Sequence, residues 1–312
     1  MSKNIFMNKE ANGFCQLGFG ELIQGFSSKG PFLINFPIDS FSCAEVKIIE
    51  NFDGGISVVN DQGYSKSVRA IKNYLISLDK DNISLEFKIH RNLPTGCGLS
   101  ASTADLIASI RSTANALNLN EPSPDHITNL IKEIEPNDGL HYPGISLYDH
   151  IKSVKHQTLP FLSKPIFIVS IFSGNKVDTV EFNKSINYTR IKKYMERYDY
   201  LISEVTNSIK NNDIELLFYL STQSAILWDE FLPNKNLKEI LNFSQRTKSL
   251  GLINSHSGNL VGFCYPIEMK NNISLIKEFT NYFKQVPLCH TSFTSNNINK
   301  KEFYTQKTNE IE

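Results

Sequence analysis

No apolar run in this chain approaches the roughly 20 residues that a bilayer-spanning helix needs. The opening residues, Met1 to Glu10, lack the apolar centre of a signal peptide, so a cytoplasmic protein is expected. Excess charge is missing as well. The 32 Lys and Arg balance the 32 Asp and Glu, which speaks against a nucleic acid or an anionic membrane as the main partner. Paired cysteines are absent too. Cys15, Cys43, Cys97, Cys264 and Cys289 are an odd, scattered set with no Cys-x-x-Cys, as expected of reduced thiols. No His, Cys or Asp group has zinc-ligand spacing, and no Gly-x-Ser-x-Gly marks a serine hydrolase. There is no internal repeat.

What is present fits an α+β protein. A chain of 312 residues can build two modest domains or one large one. Residues 32–38, 43–49, 56–60 and 83–90 are rich in β-branched and aromatic side chains and read as strands. Val68, Ile71, Tyr74, Leu75 and Leu78 recur at helical spacing. Ser123 or Asp125 can cap a further helix. Two prolines bracket residues 159–165, a natural boundary before a strand at 166–172. Helical patterns follow at 191–209, 214–220, 225–228 and 240–250, then strands at 260–265 and 286–291. The tail from Asn296 is polar.

The most informative stretch is Leu93-Pro94-Thr95-Gly96-Cys97-Gly98-Leu99-Ser100-Ala101-Ser102-Thr103. It leads into a segment whose Ala104, Leu106, Ile107, Ile110, Ala114 and Leu117 form an apolar helix face. Glycines let backbone approach an anion, and the free N–H groups of a helix start point at it. Ser100, Ser102 and Thr103 can add hydroxyl donors or a magnesium ligand. Taken alone, the stretch reads first as a strand-to-helix turn with a serine cap, its glycines present for geometry. It is neither a Walker loop, having no closing Gly-Lys-Ser/Thr, nor a dinucleotide fingerprint, lacking the third glycine.

It resembles the second motif of the GHMP kinases (galactose, homoserine, mevalonate and phosphomevalonate kinases), Pro-x-x-x-Gly-Leu-x-Ser-Ser-Ala. Pro94, Gly98, Leu99 and Ser102 match, Ala101 stands for the first serine and Thr103 for the alanine. Gly18-Phe19-Gly20-Glu21-Leu22-Ile23-Gln24-Gly25, on its own a hairpin bend, is similar to the Gly-Glu-Leu-Ile-Gln-Gly of one branch, the L-threonine kinases of cobalamin side-chain assembly. Phe36-Pro37-Ile38-Asp39 resembles the branch's Cys-Pro-Val-Asp, and Glu135-Pro136-Asn137-Asp138 its Glu-Pro-Thr-Asp. His256-Ser257-Gly258-Asn259-Leu260-Val261-Gly262 resembles its Ala-His-Ser-Gly-x-x-x-Gly, with Ser255 in place of the alanine.

The resemblance implies a two-domain GHMP kinase fold. Residues 1–160 would form a domain like the second domain of ribosomal protein S5, and residues 161–312 a ferredoxin-like α/β sandwich. It implies ATP and magnesium as cofactors. Pro94 and residues 96–103 would bind ATP: Gly96, Cys97, Gly98, Leu99, Ser100, Ala101, Ser102 and Thr103. Ser102 and Glu135 would hold magnesium, with Glu133 the alternative acid. Asp138 would be the catalytic carboxylate, though an Asp capping a tight turn fits the same residues. Glu21, Gln24, Asp39, His256, Ser257 and Gly258 would contact the acceptor, Glu21 through its ammonium. The implied reaction converts L-threonine to O-phospho-L-threonine and ADP. Other readings stay open: serine, homoserine or a modified hydroxy amino acid as acceptor, a phosphorylating decarboxylase, or a member that binds its metabolite without turnover. The expected partner is a small hydroxy amino acid; a homodimer is compatible with the resemblance.

Overall fold

The computed structural model describes residues 10–49, 57–59, 64–80, 82–90, 98–172, 193–231, 234, 236–255 and 260–294. Two long strands start the chain, β1 (Glu10–Ser27) and β2 (Gly30–Ile49), joined by a tight turn at Ser28 and Lys29. The two strands expected at 32–38 and 43–49 are thus halves of one, and the glycine-rich motif lies inside β1 instead of bending a hairpin. A further small strand, β3 (Ser57–Val59), runs parallel to β4 (Ser84–His90), with α1 (Ser65–Ser77) between them. Then come α2 (Ala101–Ala116), α3 (Pro124–Ile131), β5 (Ile145–Asp149), β6 (Val154–Leu159) and β7 (Ile166–Phe172). The second half adds α4 (Met195–Asn211), α5 (Ile214–Asp229), α6 (Leu237–Arg246), β8 (Gly251–Asn254), β9 (Leu260–Pro266), a short 3-10 turn, α7 (Ile273–Phe283) and β10 (Leu288–Thr291).

Local chemistry explains several boundaries. Ser123 accepts the His126 N–H at 3.3 Å and Pro124 follows at the first helical position, so α3 begins where a cap and a proline favour it. Asp213 and Asn272 cap α5 and α7 in the same way. The helix expected to reach residue 250 stops at Arg246: Lys248 turns left-handed at φ 53° and the Ser249 N–H donates to the Ser244 carbonyl at 3.1 Å, after which Gly251 opens the strand β8.

The strands share one sheet, in the order β10-β7-β9-β8-β1-β2-β4-β3, with β5 pairing both β2 and β6. Within it, β1 and β8 meet through one registered pair, Glu21 with Asn254. Small residues let α2 lie close on β1: a Cβ on Gly13 would stand 2.2 Å from the Ser112 nitrogen. Because α1 and α3 cover its other side, nearly every α2 residue is buried, including Asp105, Ser109 and Thr113. The main core joins this layer to Tyr198, Leu201, Leu217 and Phe218 of α4 and α5. A second core gathers Phe243, Phe263, Phe279 and Val169 between the far strands and α6 and α7.

Candidate active site

Strand β1 organises the site through irregularity. Its register against β2 shifts between Gln16 and Gly18, between Gly18 and Glu21, and again between Glu21 and Ile23. Such bulges take backbone groups off the ladder and re-aim side chains. Two amides freed this way grip the loop before α2. The Gly18 N–H donates to the Leu99 carbonyl at 3.2 Å, and the Gly20 N–H to the Gly98 carbonyl at 3.1 Å. Gly20 has no room for a side chain and Gly18 little. A Cβ at Gly18 would lie 3.0 Å from the Ser100 hydroxyl, and one at Gly20, whose φ is +49°, would lie 2.6 Å from the Asn254 carbonyl.

The last shift also aligns two polar side chains. In an unbroken strand Glu21 and Gln24, three apart, would face opposite sides. Here Glu21 stands across from Asn35 and Gln24 across from Leu33, two residues apart on β2, so both point to one face. Both are buried, and Gln24 Oε1 has no hydrogen-bond partner.

Ser100 precedes α2 with φ 53° and ψ 26°, a left-handed conformation uncommon outside glycine, and its side chain does not cap the helix. The first N–H groups of α2 are therefore left to another acceptor, at the positive end of a 16-residue helix. In the first turn, the Ser102 hydroxyl donates to Glu135 Oε2 at 2.8 Å, and Lys66 of α1 forms an ion pair with the same oxygen. Serine hydroxyl and carboxylate are hard oxygen donors. Among the described residues no cluster of three or more His, Cys, Asp or Glu could cage a metal. The pair beside an uncapped helix start suits a magnesium ion that arrives with phosphate oxygens and keeps some of its water.

Asp138 is set by buried amides. The Asn35 Nδ2 donates to its carbonyl at 2.8 Å, while Asn35 Oδ1 accepts the Ser146 N–H at 2.8 Å. Asn137 donates to Ser153 at 2.9 Å and accepts the Gly139 N–H at 3.2 Å. From β1, Gln16 Nε2 donates to the Leu140 carbonyl at 3.0 Å, so one strand holds both loops. The Asp138 carboxyl is pushed up to about 7, first by burial and then by the nearby charge of Glu21; a Ser100 hydrogen bond opposes the rise and Glu135 adds to it. A carboxyl near 7 within reach of a helix start is matched to proton transfer at neutral pH.

The structure thus brings Glu21, Ser100, Ser102, Glu135 and Asp138 into one neighbourhood, with Gln24 on the same β1 face as Glu21. Asp39 stands apart in kind. It follows Ile38, which bridges Ser292 beyond β10, and its Oδ1 is buried without a partner. Leu99, Ala101 and Thr103 are buried at the loop and the first turn of α2. Pro94, Gly96, Cys97, His256, Ser257 and Gly258 lie outside the described residues. Three contributors had escaped the sequence reading. Asn35 had a signal, an amide within the apolar run Leu33-Ile34-Asn35-Phe36, whereas Lys66 and Gln16 had none.

Residues 65–147 match the family model described as the GHMP kinases N terminal domain. The matched residues carry the GHMP kinase N-terminal domain, and the fold of the chain is the GHMP kinase fold. The match is to a family of ATP-dependent small-molecule phosphotransferases. It is similar to L-threonine kinase of Salmonella typhimurium, with 24% identity over 255 residues, covering 80% of each chain. Among solved structures, homoserine kinase from Cytophaga hutchinsonii superposes with a TM-score of 0.67 at 13% identity, over 92% of this chain and 96% of the other. Mevalonate diphosphate decarboxylase from Staphylococcus aureus gives 0.70 at 12% identity, over 92% and 97%.

Proposed function

We propose that the protein transfers the γ-phosphoryl group of magnesium-ATP to the side-chain hydroxyl of an amino acid, with L-threonine as acceptor and O-phospho-L-threonine and ADP as products. The observation that carries this reading is the meeting of Asp138, its carboxyl near 7, with the Ser102–Glu135 pair at the uncapped start of α2. The similarity to L-threonine kinases supports the choice of acceptor.

The triphosphate would lie over residues 98–103, on the free N–H groups of α2. Ser102 and Glu135 would hold magnesium, which when bound supplies positive charge against the phosphate oxygens. Asp138 accepts the proton as the acceptor oxygen bonds to phosphorus and the bond to the ADP oxygen breaks. Glu21 faces the acceptor ammonium, and the unpartnered Gln24 Oε1 takes a donor from the same molecule.

The experiment is an ADP-release assay with magnesium-ATP against L-threonine, L-serine, L-homoserine and D-threonine, with products read by phosphorus NMR. Threonine-dependent ADP and a phosphomonoester are expected. A second acceptor turned over at higher kcat/KM reassigns the substrate within the family. ATP binding without any phosphorylated acceptor in the panel counts against the reading.

A further inference from the structure

Glu135 is a shared group. Its Oε2 receives the Ser102 hydroxyl at 2.8 Å and the Lys66 ammonium together, from helices α2 and α1. The two ends of the ion pair differ sharply in exposure: the Glu135 side chain is 10% exposed and that of Lys66 is 57% exposed. A carboxylate so enclosed needs a compensating charge, whereas the lysine can leave on its flexible stem without disturbing the core. Surface ion pairs contribute little to stability by themselves. A divalent cation seated between Ser102 and Glu135 would meet Lys66 at the Oε2 they share, where two positive charges repel, so ammonium and metal compete for that oxygen. The displaced ammonium would remain beside the first turn of α2, where an anionic group is to be bound.

We propose that Lys66 is an exchangeable counter-ion for Glu135. It holds the carboxylate in ligand orientation before metal binds, and moves onto a nucleotide phosphate oxygen when magnesium takes its place. The proposal rests on the kinase reading above. Lys66 is then a positioning residue for the metal ligand and a phosphate contact in turn. Two opposite effects follow from removing it. Without the competing ammonium, a lone divalent cation binds more tightly; without the phosphate contact, the metal–nucleotide complex binds more weakly.

The test uses the full chain as wild type, Lys66→Met and Lys66→Arg, with unfolding temperatures compared first to confirm intact folding. Manganese without nucleotide is titrated by electron paramagnetic resonance, and magnesium-ADP by calorimetry. For Lys66→Met, manganese affinity is expected to rise several-fold while magnesium-ADP affinity falls about tenfold, the size of one charge-assisted hydrogen bond. Lys66→Arg keeps the charge and is expected to recover most of the nucleotide affinity. Changes of the same sign for both ligands, or no change in either, overturn the exchange. If wild type itself fails to bind magnesium-ADP, the kinase reading falls; if wild type binds and the variants do not diverge, only the role of Lys66 falls.

Discussion

Asp138 is raised from the ordinary carboxylate range to about 7 by burial and by Glu21. With Asp138 as base, kcat/KM rises with pH through an apparent pKa near 7. Asp138→Asn is expected to lower kcat by about 100-fold or more and to abolish that limb, as a pH–rate series would reveal. Unchanged turnover removes the base assignment. Glu21→Gln makes a separable prediction. The acceptor KM should rise about tenfold or more, and the limb should move to lower pH, because one of the charges that raises Asp138 is gone. The same carboxyl affects stability. Its folded pKa lies above its unfolded value of 3.8, so the folded state binds the proton more tightly and stability falls as pH rises from about 4 to about 7. Asp138→Asn is therefore expected to melt higher than wild type at pH 8, by roughly 2 °C or more, and close to wild type at pH 4. Equal melting differences at both pH values contradict the raised carboxyl.

At the level of elements, helix placement rests on a few backbone approaches. A Cβ at Gly13 would stand 2.2 Å from the Ser112 nitrogen and 2.4 Å from the Ala108 carbonyl of α2, neither of which can yield like a side chain. Gly13→Ala should cost about 2–3 kcal/mol in urea unfolding and, by lifting α2, weaken nucleotide binding as well. Ser123→Ala removes only the α3 cap; about 1 kcal/mol is expected, with acceptor KM unchanged. A larger effect of Ser123→Ala than of Gly13→Ala contradicts this account of which approach matters.

For the whole molecule, the division proposed at residues 160 and 161 meets a sheet and a core that do not stop there. The strands of the two halves join at Glu21 and Asn254, and one core cluster holds Leu22, Ile34 and Ala108 together with Tyr198, Phe218 and Ile253. Gly25 shows how close the halves lie, since a Cβ there would be 2.4 Å from the Tyr198 ring. Shared burial of this kind couples unfolding, so calorimetry should give one transition with equal calorimetric and van't Hoff enthalpies. Two separated transitions would mean that the halves fold independently.

The sequence by itself determined the parts that depend on neighbours along the chain. The 2.0 and 3.6 periods marked most strands and helices, Ser123 with Pro124 marked a helix start, and Gly98 to Ser102 marked the loop that enters α2. The motif resemblance reached the fold because glycines and hydroxyls at fixed spacing fix how a loop turns into a helix. Only tertiary structure decided that Gly18–Gly25 is bulged strand and not a bend, since register is set by pairing with β2 and by the loop it grips. It also brought Glu21 beside Asp138 across more than a hundred residues, and put Lys66 on the oxygen that Ser102 bonds. Burial and the field of a carboxylate distant in sequence set the protonation of Asp138, and neither exists until the chain has folded.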